Sequence, residues 1–410
     1  MLAKEDTNKH YKGRRIRLFP DKKQSEFLEK CIDANRFVYN WALEQEIENE
    51  KLYEAQLVPN RALYEFDLIR RYKHLRDQHP FLQEVPFNVG QGAIRRVVNG
   101  MKMYFNKASN NKHPKFHSKK KEFNPSFELN GDRMYFIGTK IKIENIRGNG
   151  KQIIETKYDG PQNAKFTKSS ISRDRFGNYY LSYNVEEDKP LKYLEDIPKT
   201  EPLGIDTNMK KRFVCSDGTI YYGPDLSSEM RIIKKCNRRR QKYVKLAKER
   251  LARTKSESSE QQDEPELSKR AKRNMQRLKR TYKRITDKNE SCIQQATKRI
   301  IDKHPEAIIM EDLDVSDILS DKFVAKNVNN AAFFRCRQVM EYKCNWYGIP
   351  FYTAPKEYKS SQICSNCGAE KKIYTQKTYI CHHCGMREDR DINAAKNLVN
   401  YYKTHFTIAE

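Results

Sequence analysis

Basic and apolar residues alternate along RRIRLFP (residues 14–20), the two-residue period of a β-strand, and Pro20-Asp21 then opens a helical pattern through KKQSEFLEKCIDANRFVYNWALEQEIENEK. Helical periodicity dominates to about Lys107. Within it, VGQGAIRRVVNGMKMYFNK (residues 89–107) gathers Ile94, Val97, Val98 and Met101 on one face and leaves Arg95, Arg96 and Lys102 for solvent or an anionic partner.

From Asn111 the pattern changes. HPKFHSKKKEF is a basic loop, and short β-type runs follow at FELN, MYFIG, KIKIENI, AKFTKSSISRD and YYLSYNVEE, separated by Gly, Asn and Asp. These predict a small β-barrel that includes the first strand and carries the helices of residues 21–107 as an insertion. A Pro-containing linker at residues 186–202 leads to strand signals at LGID, RFVCS and TIYYG, then to a basic stretch, residues 230–288, expected to be two helices. The polar, acidic segment TKSESSEQQDEPELS (residues 254–268) divides them as a loop. A separate apolar helix is expected at residues 292–302, followed by a strand in AIIMEDL, a helix at residues 331–347, a strand in GIPFYTA, two cysteine pairs and a last helix in INAAKNLVNYYK. Three strands, then helix, strand, helix, strand and helix make a mixed α/β layer, the element order of RNase H-like nucleases.

Composition narrows the partners. The 410 residues exceed one hydrophobic core, and 80 Lys and Arg against 54 Asp and Glu leave a net charge of +26, which calls for a polyanion. No run approaches the roughly 20 apolar residues of a membrane span, and MLAKEDTNKHYKGRR lacks a signal-peptide core. The expectation is a cytoplasmic, nucleoid-associated protein of a prokaryote, with nucleic acid as its partner. Six cysteines (31, 215, 236, 292, 336, 344) are scattered through elements as reduced thiols. KKCNRRRQKYVK and KRAKRNMQRLKRTYKR suit phosphate contacts, and Gln91 suits groove reading, although a charge run can also be a solvated face.

Two signals carry chemistry. Asp206 ends LGID, Glu311 ends AIIME, and Asp391 directly precedes INAAKN. A carboxylate at the end of a buried strand must be solvated, paired or bound to a metal, and several together repel one another unless a cation such as Mg²⁺ relieves them. Each also has an ordinary alternative: a turn residue, a loop residue before Asp312, and an N-cap for the last helix. Their joint order at element ends favours the catalytic assignment. The second signal is CSNC and CHHC, holding Cys364, Cys367, Cys381 and Cys384, each pair followed by a glycine. Four thiolates at this spacing predict a structural zinc ribbon; His382 and His383 inside the second pair could substitute as ligands, but a complete four-Cys set leaves them no necessary role.

These residues resemble the TnpB family: GIDTNMKKRFVCSDGT, AIIMEDL, EYKCNWYGI, SSQICSNCG, CHHCG and DRDINAAKN in the C-terminal half, with RLFPDKKQ, NRFVYNWAL, QGAIRRV and HPKFHSKK before them. The resemblance runs from about Tyr11 to Tyr402. It implies a RuvC triad at Asp206, Glu311 and Asp391 with catalytic Mg²⁺, structural Zn²⁺ at the four cysteines, a guide RNA made from the transposon end, and cleavage of double-stranded DNA beside a short motif. It implies a wedge-like β-barrel at 1–20 and 108–190, a helical recognition insertion at 21–107, a linker at 191–202, and a nuclease domain at 203–360 and 386–403 with a basic lid at 230–290. A zinc ribbon at 361–385 and a tail at 404–410 complete it. The chain departs from the family in Thr207-Asn208, where an apolar residue and Gly are usual, and in the enlarged loop at 254–268. The alternative function is an RNA-guided DNA-binding transcriptional regulator, which needs no carboxylates; a zinc-ribbon transcription factor and a DNA transposase explain less of the pattern.

Overall fold

β1 (Lys9–Phe19) stops at Pro20, and Asp21 caps α1 (Lys22–Glu54) with a reciprocal box: Asp21 Oδ1 accepts from the Gln24 amide at 2.8 Å, and Gln24 Oε1 accepts from the Asp21 amide at 3.0 Å. The computed structural model describes residues 9–106, 108, 111–119, 125–129, 134–143, 152–158, 160, 166–188, 198–208, 211–254, 267–312, 333–372 and 376–406. Part of the expected linker (191–197), most of the acidic loop (255–266), the end of the basic loop (120–124) and the last tail residues (407–410) lie outside them. The chain divides into two units, Met1–Lys189 and Pro190–Glu410.

In the first unit, α2 (Glu65–Gln78), the short α3 (Pro80–Gln83) and α4 (Phe87–Phe105) follow α1, all between β1 and β2 (Ser126–Leu129). Then come β3 (Met134–Ile137), β4 (Lys140–Ile143), β5 (Gln152–Thr156), β6 (Phe166–Arg173) and β7 (Tyr179–Asp188). Where a small barrel is expected, the described residues form a seven-stranded antiparallel sheet in the order β2-β6-β7-β1-β5-β4-β3. The first strand is thus central, and the helices are inserted in the chain after it. α4 buries Val89, Ala93, Ile94, Val97, Val98 and Met101, the stripe that its periodicity predicts. Gly90 faces Tyr72 so closely that a Cβ would lie 2.2 Å from the ring, so the crossing of α2 and α4 requires glycine there.

In the second unit, β8 (Leu203–Asp206), β9 (Lys211–Cys215) and β10 (Ile220–Tyr222) are followed by α5 (Ser227–Thr254) and α6 (Lys269–Ile301). Next are β11 (Ile308–Glu311), α7 (Phe333–Tyr347), β12 (Phe351–Ala354), the small hairpin of β13 (Thr378–Ile380) and β14 (Arg387–Asp389), and α8 (Arg390–His405). The sheet order is β10-β9-β8-β11-β12, with β8, β11 and β12 parallel and β9 and β10 antiparallel. The helix expected separately at 292–302 is a correction: it is the C-terminal end of α6. No Gly or Pro interrupts residues 269–301, and one apolar stripe runs through Leu278, Ile285, Ile293, Ala296 and Ile300, packing first on α5 and then on the sheet. Side chains alternate across β11, Ile308 and Met310 toward α6 and α7, Ile309 toward α8. Among the described helices none is long and apolar enough to cross a membrane.

Candidate active site

β8 and β11 are adjacent parallel strands in the register Ile205 to Met310, which puts Asp206 and Glu311 side by side at their C-terminal ends. α8 reaches them because Gly204 has no side chain: a Cβ there would lie 2.0 Å from the Ala395 carbonyl oxygen. That close approach seats Asp391, in the first turn of α8, against the strand ends. The structure brings all three acids together. Burial, then repulsion from Glu311 and Asp391, pushes the Asp206 carboxyl well above the usual carboxylate range. Glu311 is raised by burial too, against a hydrogen bond donated by the Ser360 hydroxyl.

The N-cap alternative for Asp391 belongs instead to Asp389, whose Oδ1 accepts from the amides of Asp391 at 2.9 Å and Ile392 at 3.4 Å. The Asp391 carboxylate is thereby left for the site. Its Oδ2 accepts from Asn208 Nδ2 at 2.8 Å and faces Lys211 Nζ at 3.1 Å, and Lys211 also reaches Asp389 at 2.7 Å. Asp312, beside Glu311, pairs with Arg337 and is occupied elsewhere. Asn208, Lys211, Ser360 and Asp389 were not among the sequence candidates. The repeated acids of EDRD hint at a cap beside a ligand, but only the helix start tells which is which.

Repulsion of this kind has a stability consequence. The Asp206 folded-state pKa lies above its unfolded value, so its ionisation opposes folding: the cost is absent below the unfolded value, grows between the two, and is full above the folded one. Asp206→Asn in chelator should therefore raise the melting temperature at neutral pH, by about 2–4 °C per kcal/mol recovered in a unit of this size, and lose that advantage at acid pH. Calorimetry at both pH values checks it; equal melting at neutral pH counts against a crowded carboxylate site.

The four cysteines form a second centre. Their sulfurs lie within 4.8 Å of one another, with Cys364 to Cys384 and Cys367 to Cys381 both at 3.6 Å. A tetrahedral zinc with Zn–S bonds of about 2.3 Å sets sulfurs roughly 3.8 Å apart, so the set fits that ion. Gly368 and Gly385, both at φ +75°, let the chain turn after each pair. The His383 and Cys384 amides approach Cys381 Sγ at 3.4 and 3.5 Å, while the exposed imidazoles of His382 and His383 stay outside the cluster. Among the described residues no other three ligating side chains are so close, so the carboxylates stand wider apart than the thiols. An all-oxygen, anionic donor set at a crowded site nonetheless suits a hard divalent cation.

The remaining candidates separate. Arg95 is exposed and pairs with Glu65 at 3.2 Å; Arg96 is half-buried and donates to Asn35 Oδ1 at 2.6 Å; Lys102 is exposed and Gln91 half-buried. α5 and α6 meet through Ile233, Cys236, Leu278 and Ile285 and leave Arg238, Arg239, Arg240, Arg273, Arg277 and Arg280 exposed, which makes their outer faces strongly basic.

The family model "Cas12f1-like, TNB domain" matches residues 333–398, the stretch from α7 through the cysteine pairs into α8. The "Helix-turn-helix domain" model matches residues 10–54, where the structure has β1 and the single helix α1. A Streptomyces pristinaespiralis protein named "Putative RNA-guided DNA endonuclease" is 25% identical over 391 residues, 94% of this chain and 88% of its own. A "TnpB-like protein" of Acanthamoeba polyphaga mimivirus is 29% identical over 142 residues, 33% of this chain and 27% of its own. In structure, the chain is similar to the protein of the Cas12f1-sgRNA-target DNA complex: TM-score 0.52 at 13% identity, over 93% of this chain and 83% of that one.

Proposed function

The chain belongs to the TnpB family, and from that premise we propose that it is an RNA-guided DNA endonuclease of a transposable element. It cuts double-stranded DNA beside a short target-adjacent motif by metal-dependent phosphodiester hydrolysis. The observation that carries this reading is the meeting of Asp206, Glu311 and Asp391 at the ends of β8, β11 and α8. These three hold catalytic Mg²⁺, which when bound activates the attacking water and stabilises the leaving oxygen. Lys211 and Arg390, beside Asp391, add positive charge where the scissile phosphate enters. Cys364, Cys367, Cys381 and Cys384 hold structural Zn²⁺ at residues 361–385.

The rest of the chain divides accordingly. Residues 203–360 and 386–403 are the RuvC-like domain, with residues 230–290 as its basic lid. Residues 1–20 and 108–190, which carry the seven-stranded sheet, form the wedge-like domain, and residues 21–107 are the recognition insertion, in which exposed Arg95 and Lys102 with Gln91 face nucleic acid. Arg96 serves the fold through Asn35. The guide RNA comes from the transposon end. Base pairing then supplies the sequence reading, and the protein reads duplex shape and the adjacent motif.

The test is reconstitution with RNA transcribed from the downstream end of the source element, carrying a reprogrammed guide, against a plasmid library randomised beside the target. Cleavage should follow the guide and select one short motif. Cutting without RNA, or at sites the guide does not match, sinks the RNA-guided reading. The basic outer face of α6 makes a separate prediction: replacing Arg273, Arg277 and Arg280 together by Gln should lower the slope of log affinity against log salt by about 3, one phosphate contact each. An unchanged slope in a nucleic-acid binding titration would assign those residues to a solvated face.

A further inference from the structure

One hydrogen-bond chain joins the cysteine knuckle to the carboxylate cluster. Asn393, two residues after Asp391, is fully buried, and its side-chain amide is bidentate on the first cysteine knuckle. Nδ2 donates to the Ile363 carbonyl at 2.7 Å, and Oδ1 accepts from the Ser365 amide at 2.9 Å. The side chain thereby pairs with the backbone on either side of Cys364 as a neighbouring strand would. One turn later Asn397, 1% exposed, donates to the Ile363 carbonyl at 2.6 Å and to the Ser360 carbonyl at 2.7 Å. Ser360 is itself 1% exposed and turns its hydroxyl onto Glu311 Oε1. The backbone carbonyl of Asn397 accepts from the Tyr358 hydroxyl at 2.9 Å, which fixes the start of the same segment.

We propose that Asn393, Asn397 and Ser360 are positioning residues that join the cysteine knuckle to the carboxylate centre, so that closing the knuckle on zinc sets where Glu311 and Asp391 stand. The inference rests on the metal-binding reading of both centres. Its physical basis is burial: a dry amide that makes two good hydrogen bonds has few alternatives, so segment 360–365 cannot shift without breaking them. The knuckle end has little core of its own. Cys364 and Cys381 share their small core with Tyr379 and little else, and Glu311 sits on the last residue of a four-residue strand. Metal at the thiols immobilises Cys364, the asparagines carry that constraint into α8 and into Ser360, and Ser360 holds one oxygen of Glu311. The metal-ligating geometry at the carboxylates is then part of the same body as the ribbon.

None of the three side chains touches the reacting atoms, so the readout must be cation binding and not only cutting. The experiment titrates Mn²⁺ into full-length wild type, Asp206→Ala, Asn393→Ala and Ser360→Ala by electron paramagnetic resonance. Zinc content and melting temperature are measured on the same samples. Wild type should bind Mn²⁺ and Asp206→Ala should not, while Asn393→Ala and Ser360→Ala should keep one zinc and bind Mn²⁺ about tenfold more weakly. Hydrogen exchange at the Ser365 amide should accelerate in Asn393→Ala alone. Ser360→Ala lies outside the knuckle and removes one hydroxyl, so it decides the matter even if Asn393→Ala fails to fold. Wild-type Mn²⁺ affinity in Ser360→Ala, with binding still abolished by Asp206→Ala, overturns the link and leaves the nuclease reading standing. Mn²⁺ binding that Asp206→Ala does not disturb overturns the carboxylate reading and the link with it.

Discussion

Alanine at Asp206, Glu311 or Asp391 should reduce guided DNA cleavage by at least about 10³-fold, roughly 4 kcal/mol of barrier, while target binding changes little. The loss is large because each acid holds charge at one point where Mg²⁺ must be gripped, and metal chemistry supplies several kcal/mol of transition-state stabilisation that no other group here replaces. Binding should survive because the exposed arginines of α5 and α6 are not part of this cluster, and base pairing with a guide needs none of the three carboxylates. Stability should survive as well: removing Glu311 or Asp391 relieves the repulsion that, after burial, raises Asp206, and Asp206→Ala removes the buried carboxyl itself. The measurement pairs Mg²⁺-dependent plasmid cutting with a gel-shift assay on the same samples. Robust cutting by any of the three variants would remove that residue from the proposed triad, and loss of binding in all three would mean that they serve the fold.

Much of this site could be read in the sequence because its parts sit at element ends, where pattern is clearest. LGID and AIIME are short apolar runs that end in an acid, and that is what β8 and β11 are. INAAKN begins a helix with its apolar residues at helical spacing, so Asp391 falls in the first turn. What could not be read is lateral. Nothing in the order of residues shows that β11 lies beside β8 in the register Ile205 to Met310, or that Gly204 admits the backbone of α8. Asn208, just after β8, and Lys211, the first residue of β9, both enter the site, and one-dimensional spacing gives no reason to prefer Lys211 to its neighbours. Thr207-Asn208, read as a departure, therefore has a structural use: Asn208 steadies Asp391.

The helical reading failed at one place for the opposite reason. Residues 230–288 were divided from 292–302 by composition, basic against apolar, but a helix continues until its backbone is interrupted, and composition interrupts nothing. β5 lies outside the expected strands even though GNG before QIIET and DGP after it are turn signals that bound a strand, and it pairs with both β1 and β4. Arg96 shows the limit for surface residues: periodicity puts it near the edge of the buried stripe of α4, and only the structure shows its guanidinium directed to Asn35.

Removal of zinc should have the second largest effect, and on order more than on chemistry. The ribbon's own core is Cys364, Tyr379 and Cys381 with Ala369 and Met386 at its edge. A cluster of that size cannot offset the conformational entropy of roughly 20 described residues, which is of order 1–2 kcal/mol each for the backbone. Bound zinc contributes on the order of 10 kcal/mol in small metal-folded peptides, enough to change the outcome. Purified protein should contain one zinc per chain by elemental analysis. Cys381→Ser should lose it, because Cys381 is the buried ligand of the second pair, 2% exposed, and its sulfur also receives the amides of His383 and Cys384. Residues 361–385 should then become the preferred site of limited proteolysis, while the second unit's five-stranded sheet stays protected. Zinc-free protein with an uncut ribbon would show that the hairpin of β13 and β14 and the asparagines of α8 hold the segment unaided, and would remove zinc from the account of this fold.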